Sequence, residues 1–346
     1  MVYNTSAMFL SQKQKNITLY RQSLELLPRQ ISDTIKKGKW TNAGKLRPVK
    51  TIIVNGMGGS NLGIEIVRSL FKKNLELPVM VDPGYEAAGY VTKNTAYIVS
   101  SYSGTTEEPI AAYRKAKQRR ALVIALTSDS DNKLATMAKR DGTPLFQFPT
   151  AANPSKQPRL GLGLSMAGFI LILNKLGALK NSIIKDFLKA AKRKNSDAAL
   201  VAKRLKNREI VLIGSPCFEG NLKTMRNQLS ESAKNLTSYL TLPDMNHFAL
   251  EGLQYPKSNK KRLAALFIDS KLDDPRIQKR AELSKEIFRK NRIPVISHSL
   301  SGKTSLEQGL ELLQFGGWLS YYIAIQNRVD PMQIKSVDWF KKNLSN

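Results

Sequence analysis

Cysteine occurs once in the 346 residues, as Cys217. That excludes an internal disulfide and a thiolate-rich zinc centre, and it fits a reducing compartment. Long apolar runs are also missing. Stretches such as 169–173 and 122–126 fall far short of the ~20 residues that a bilayer-spanning helix needs. The opening MVYNTSAMFLSQKQKN lacks the basic start, apolar middle and small-residue cleavage site of a secretory signal, so a cytoplasmic protein with no membrane attachment is expected. Acidic residues are scarce: 27 Asp plus Glu stand against 55 Lys plus Arg, for a net charge of +28. What is present is a globular composition, 42% hydrophobic and 24% charged with no low-complexity tract, which rules out disordered and fibrous classes. The length suits two domains of roughly 100–200 residues each.

The excess of positive charge raises a nucleic-acid reading, because polyphosphates are held mainly by Lys and Arg. Its distribution points elsewhere. Basic residues are scattered over 36–39, 114–120, 185–194, 203–208 and 257–262, mostly on predicted helix faces, and no zinc-finger, helix-turn-helix or aromatic RNA-binding signature accompanies them. Specific nucleic-acid binding is therefore not expected, and a small anionic substrate gains from the same field.

From Val49 onward, short β-branched runs alternate with longer amphipathic stretches, the pattern of parallel βα units. Strands are predicted at 51–56, 78–82, 96–101, 121–128 and 144–149, with helices near 60–73, 106–119 and 132–140. The alternation restarts with strands at 209–215, 263–270 and 293–299 and helices near 219–234, 276–291 and 306–327. Between the two sets, 163–178 reads as an apolar helix and 181–207 as one basic amphipathic helix. The expected fold class is α/β, with two doubly wound, flavodoxin-like domains on parallel sheets. The expected division is a helical segment over 1–45, a first domain over 46–178, a second over 179–329, and a helical tail over 330–346. Ligands are expected at the carboxyl ends of the strands.

The first strand runs into Gly56-Met57-Gly58-Gly59-Ser60-Asn61-Leu62-Gly63 and then a helix. A strand, a glycine turn and a helix start present unpaired N–H groups and a positive dipole end to an anion. A dinucleotide fingerprint would need glycine at Asn61, although Asp82 could imitate its ribose-binding acid. The loop is also readable as a tight turn without a ligand. A second strand-to-helix junction reads Ser101-Tyr102-Ser103-Gly104-Thr105-Thr106-Glu107-Glu108, with hydroxyls clustered about one glycine. Hydroxyls donate to phosphate oxygens without adding charge, which suits a monophosphate; Ser/Thr followed by Glu is equally an ordinary helix cap. No Gly-Lys-Ser/Thr follows either loop, which argues against a nucleoside triphosphatase.

The pair of loops resembles the sugar isomerase (SIS) fold, on Gly58-Gly59-Ser60 and Ser101–Glu108. The resemblance implies that Ser60, Ser101, Ser103 and Thr106 hold the phosphate of a sugar phosphate, with Gly58 and Gly59 at the substrate. SIS domains also occur in amidotransferases and in sugar-binding regulators, so these loops do not by themselves name an activity.

Histidine occurs only at His247 and His298. Aldose–ketose isomerisation needs a base that moves a proton between neighbouring carbons and a group that opens the ring; a carboxylate plus an imidazole suffices. Glu231 falls on the helix after the second domain's first strand, where it is equally readable as a surface carboxylate. His247 lies sixteen positions further on, after Leu242-Pro243-Asp244-Met245-Asn246, and is expected to begin a short apolar helix. His298, at a strand end between Ser297 and Ser299, reads as structural. Asn153-Pro154-Ser155-Lys156-Gln157-Pro158-Arg159 fixes a permanent guanidinium after a proline, which can stabilise an enediolate or make an ordinary ion pair.

With these residues the resemblance narrows to the bifunctional phosphoglucose/phosphomannose isomerases, over roughly residues 45–346. It implies that Glu231 moves the proton between C2 and C1 through a cis-enediolate, that Arg159 stabilises the developing charge, and that His247 assists ring opening across a homodimer interface. Asp330-Pro331-Met332-Gln333-Ile334 stands where the family has a Thr-Pro-Val segment, and Lys341 matches its closing lysine. Glucose 6-phosphate and fructose 6-phosphate are the implied substrates, with mannose 6-phosphate a further candidate. Neither metal nor redox cofactor is implied. The competing readings are a non-catalytic SIS-type sugar-phosphate regulator and the isomerase half of a glucosamine 6-phosphate synthase.

Overall fold

Strands rich in β-branched residues and buried on both faces need helices on either side, and this requirement sets the architecture. The computed structural model describes residues 2–191 and 197–344, with side chains from residue 11 onward. These form two units, one of Leu26–Arg193 and the other of Met1–Glu25 with Lys194–Asn346, called here the first and second units. Helix α1 (Val2–Glu25) belongs to the second. The first contains α2 (Leu27–Lys37), β1 (Lys39–Thr41), β2 (Thr51–Gly56), α3 (Gly59–Leu70), β3 (Val79–Val81), β4 (Thr95–Ser101), α4 (Glu107–Gln118), β5 (Leu122–Ser128), α5 (Lys133–Arg140), β6 (Leu145–Phe148), α6 (Leu162–Lys175) and α7 (Ser182–Ala190). The second continues with α8 (Ala198–Arg204), β7 (Glu209–Gly214), α9 (Glu219–Ala233), β8 (Thr237–Thr241), α10 (Asn259–Arg262), β9 (Leu263–Asp269), α11 (Pro275–Lys290), β10 (Val295–Ser299), α12 (Ser305–Gln326) and α13 (Lys335–Leu344). No helix among the described residues is long and apolar enough to cross a membrane.

The first sheet has the order β1-β6-β5-β4-β2-β3, parallel except for β1, which runs antiparallel to β6. The second sheet, β10-β9-β7-β8, is parallel throughout. Every residue of β4 is buried, as expected for a central strand covered on both faces. The fold is thus α/β with two parallel-dominated sheets.

The structure differs from the sequence reading at several elements. Residues 1–45 do not act together: α1 joins the second unit, whereas α2 and β1 belong to the first. The basic stretch 181–207 holds α7 and α8, with 192–196 outside the described residues. Strands β1 and β8 carry no apolar run that would announce them. β1 is three residues long, its Trp40 packing edge-on against Phe146 at 5.1 Å, and four of the five residues of β8 are not fully buried.

Helix α1 docks on α12. Tyr20, with no exposed surface, shares a hydrogen bond of 2.7 Å with Ser320. Leu24 lies against Gly317, where an added Cβ would come within 2.6 Å of its Cδ2. Gly317→Val is therefore expected to lift α1 and to destabilise the second unit by about 1–3 kcal/mol. Limited proteolysis should then cut within 11–25, and unchanged resistance would contradict this docking.

Candidate functional site

In the first sheet the chain proceeds from β2 to β3 in one direction and from β4 through β5 to β6 in the other. The reversal falls between β2 and β4, where open α/β sheets leave a crevice at the carboxyl ends of the strands. The parallel register pairs Gly56 with Ser100, so the loops that follow the two strands are neighbours. Ser60 joins them: its Oγ accepts from Tyr102 N at 3.0 Å, and its carbonyl accepts from Ser100 Oγ at 3.0 Å.

The hydroxyl loop is organised from within. Ser101 Oγ accepts from Gly104 N at 3.0 Å and shares a hydrogen bond with Thr106 Oγ1 at 2.9 Å. Ser103 Oγ accepts from Thr105 N at 3.3 Å and from Thr105 Oγ1 at 3.0 Å. Gly104 has φ +66 and lies so close to Asn132 that a Cβ would overlap that side chain; both the dihedral and the space require glycine. Ser60 and Ser101 are buried, Thr106 is half-buried and Ser103 is exposed, so the loop runs from the interior to solvent. Gly58, at φ 49, precedes α3, whose start has no side-chain cap and no acidic residue in its first turn. Ser60 N and Asn61 N donate to the carbonyls of Met57 and Gly58 at 3.0 and 3.2 Å, so what this helix start offers an anion is its positive dipole end.

Arg159 lies on the same side. It is 2% exposed, in a short turn Pro158–Leu160, and Nη1 donates to Gln157 Oε1 at 2.8 Å. Gly59 makes room for this turn, since a Cβ there would sit 2.8 Å from Pro158 Cβ and 2.9 Å from Arg159 N. Asn153 ties the segment to the hydroxyl loop, donating from Nδ2 to Tyr102 Oη and to the carbonyl of Gln157, both at 3.0 Å. Burial pushes the Tyr102 phenol up to about 12, with the Asn153 hydrogen bond opposing and the Asp129 charge adding. The dinucleotide alternative meets an obstacle at Asn61, whose Nδ2 donates to the carbonyl of Gly56 and fills the place of the third glycine.

In the second unit, half-buried Glu231 lies near the end of α9. It lines a cavity of about 730 Å³ together with Ser230, Lys234, Leu236, Asp330 and Gln333. Lys234, in the left-handed conformation that ends α9, donates from Nζ to the carbonyls of Glu231 and Gln333. The segment after α12 is held from its other side: Asn16 Nδ2 donates to Asp330 Oδ2, and Lys13 Nζ to the carbonyl of Arg328, both at 2.7 Å. Sequence reasoning missed Lys234, Asn16 and Lys13. Only Asp330-Pro331 carried a local signal, a likeness to the family's C-terminal segment.

His247 ends a short turn, Asp244–His247, rather than beginning a helix. Buried Met245 anchors that turn, and Asn246 donates to Ser284 Oγ at 2.8 Å, which leaves the imidazole exposed. Lys341 is exposed on α13. Neither lines the Glu231 cavity. His298 is structural: it is 2% exposed, stacks on Phe315 at 3.6 Å and meets Asp197 Oδ2 at 3.0 Å. The first unit therefore gathers Gly58, Gly59, Ser60, Ser101, Ser103, Thr106 and Arg159. The second places Glu231 beside the C-terminal segment, with His247 and Lys341 away from that cavity.

Comparison with known proteins bears on the family. Residues 45–142 match the model of the SIS domain, and residues 194–344 match that of the bacterial phospho-glucose isomerase C-terminal SIS domain. The chain is 26% identical to a bifunctional phosphoglucose/phosphomannose isomerase of Caldicellulosiruptor bescii, covering 94% of this chain and 98% of that protein. It is 27% identical to the protein of that name from Thermoplasma volcanium, covering 91% and 97%. Among solved structures, the C-terminal domain of glucosamine-fructose-6-phosphate aminotransferase from Francisella tularensis superposes with a TM-score of 0.68 at 12% identity, covering 90% of this chain and 97% of that one. The last likeness is one of fold.

Tyr97, Tyr102 and Tyr113 are each pushed up to about 12 chiefly by burial. Above the ordinary value of 10.0 the unfolded chain loses these protons while the folded one keeps them, so stability falls from about pH 10 to 12. Phenolate absorbance in the folded protein should lag behind that of the denatured chain, and superimposable titrations would contradict the assignment.

Proposed function

We propose, because the chain belongs to the bifunctional phosphoglucose/phosphomannose isomerase family and carries its SIS domains, that it interconverts glucose 6-phosphate and fructose 6-phosphate, with mannose 6-phosphate as a further substrate. The observation that carries the reading is the hydroxyl-rich loop beside Gly58, Gly59 and buried Arg159. Neutral hydroxyl donors and the positive dipole end of a helix suit the single phosphate of a hexose.

In this proposal Ser60, Ser101, Ser103 and Thr106 hold the phosphate, with Gly58 and Gly59 letting the chain approach the substrate. Glu231, ionised, takes the C2 proton of the open-chain aldose while the C1 carbonyl oxygen gains a proton. Electron density shifts into the C1–C2 bond and gives a cis-enediol(ate). Return of the proton to C1, with loss of the O2 proton, yields the ketose; atoms and charge balance without an added reagent. Arg159 stabilises the negative oxygen of the intermediate, since a buried guanidinium is worth more than one in water. Lys341 acts at the ring oxygen. His247 of the partner subunit assists ring opening, which makes the active assembly a homodimer. A cytoplasmic location belongs to the same reading, supported by the lone Cys217. The segment Asp330-Pro331-Met332-Gln333-Ile334 has no clear equivalent of the threonine that the family resemblance ties to mannose 6-phosphate, so glucose 6-phosphate is the principal substrate of this reading.

Incubation with fructose 6-phosphate, with glucose 6-phosphate and mannose 6-phosphate measured as products, tests the activity directly. Glu231→Gln should lower turnover by about 100-fold or more while sugar-phosphate affinity persists; unchanged turnover removes Glu231 from the mechanism. Thr106→Val should instead weaken sugar-phosphate affinity by about tenfold.

Mixing tests the shared site. Chains carrying Glu231→Gln and chains carrying His247→Ala, each inactive alone, should regain activity when they exchange subunits. No recovery despite demonstrated exchange would contradict the contribution across the interface.

A further inference from the structure

The second sheet, β10-β9-β7-β8, repeats the order of four consecutive strands of the first, β5-β4-β2-β3. Its own reversal falls between β7 and β9, so the loops after those strands are the counterparts of the glycine and hydroxyl loops. Their chemistry is different. Ser215-Pro216-Cys217-Phe218 replaces the glycine turn, and Pro216 has no N–H to offer an anion. After Asp269, the sequence Ser270-Lys271-Leu272-Asp273-Asp274 stands where the first unit has its hydroxyls.

A cavity of about 430 Å³ opens at this place, lined among others by Ser215, Asp269, Ser270, Asp273, Glu282 and Ser299. Its size and its position at a sheet's reversal are those of small-molecule sites. Three carboxylates, Asp269, Asp273 and Glu282, stand here with one buried lysine and two exposed ones. Lys285, 3% exposed, donates to Asp269 Oδ2 at 2.6 Å and to Glu282 Oε1 at 2.8 Å, and Asp273 adds a third acid. Lys271 and Lys279, also in the lining, are exposed. Burial raises the Asp273 carboxyl above its ordinary value, with the nearby Ser215 hydroxyl opposing and the Asp269 charge adding. A neighbouring charge that favours a proton on Asp273 also favours a cation beside it.

Ser215 supplies the second observation. It is 2% exposed, and its buried Oγ has no hydrogen-bond partner of ordinary geometry among the described residues, with the Asp273 carboxyl close enough to feel it. A buried hydroxyl in this state is complementary to a ligand's polar group. The adjoining Ser-Gly turn cannot take an anion, because Ser301 N, Ser301 Oγ and Gly302 N all donate to buried Glu311 at 2.9–3.0 Å. Nor is the site a metal centre: no group of three or more His, Cys, Asp or Glu among the described residues could hold a metal ion.

We propose that this cavity binds a small organic cation bearing hydroxyl groups, its ammonium against Asp273 and its hydroxyls toward Ser215 and Ser299. None of its lining residues has a role in the isomerisation, and its ligand carries no phosphate.

Glucosamine serves as the probe, with glucose as its neutral counterpart, both titrated calorimetrically into the full chain. Glucosamine should bind about tenfold more tightly than glucose, the contribution expected of a charge-assisted contact. Asp273→Asn should weaken glucosamine about tenfold and leave isomerase turnover unchanged, whereas Ser101→Ala should leave glucosamine affinity intact. Ser215→Ala, which disturbs packing little, gives an independent loss should Asp273→Asn melt early. Absence of glucosamine binding, equal affinity for glucose, or indifference to both Asp273→Asn and Ser215→Ala would overturn the proposal. Loss of binding in Ser101→Ala alone would assign glucosamine to the sugar-phosphate site and overturn it equally.

Discussion

The parallel register that sets Gly56 beside Ser100 is the constraint from which the first unit's candidate site follows. It brings two strand ends together at the point where the chain changes direction across the sheet, and it leaves the donors beyond them facing one crevice. Ser60 can then meet Tyr102, and Gly59 can admit the Arg159 turn. A slip of one residue would turn alternate side chains to the opposite face and separate these groups.

The same strand order recurs in the second sheet with other loops, so one topology carries two kinds of chemistry. Hydroxyls and a helix's positive end in the first unit suit an anion; carboxylates around Lys285 and Asp273 in the second unit suit the opposite sign. The net charge of +28 hides this local contrast, because Coulomb interactions inside a cavity depend on the nearest groups and the distant surface is screened by salt. Glu231 belongs to a third setting, the cavity closed by the segment after α12. Lys234, Asn16 and Lys13 secure that segment, and so link the N-terminal helix to the position of a candidate base.

Much of the fold was legible in the sequence because burial writes itself into composition. β2, β4, β5, β7 and β9 are covered on both faces, and their apolar runs mark them to within a residue or two. β1 and β8 were not legible, since short or half-exposed strands need no such run. The phosphate-type loops were readable because backbone approach and helix starts demand glycine and small hydroxyl residues at fixed offsets. The docking of α1 on the second unit was not: it depends on Tyr20 meeting Ser320 and Leu24 meeting Gly317 across some 300 positions, with no local pattern to announce it. For the same reason Lys234 passed unnoticed, a lysine on a helix end whose role is set by a distant carbonyl.

Backbone amide resonances of the full chain, followed during titration with inorganic phosphate, test the central claim most directly. The account predicts saturable shifts concentrated at Ser60 and at Ser103 to Thr106, with the Ser270 to Asp274 loop unmoved. Shifts centred on the second unit, or none in the first unit's two loops at saturating phosphate, would contradict it.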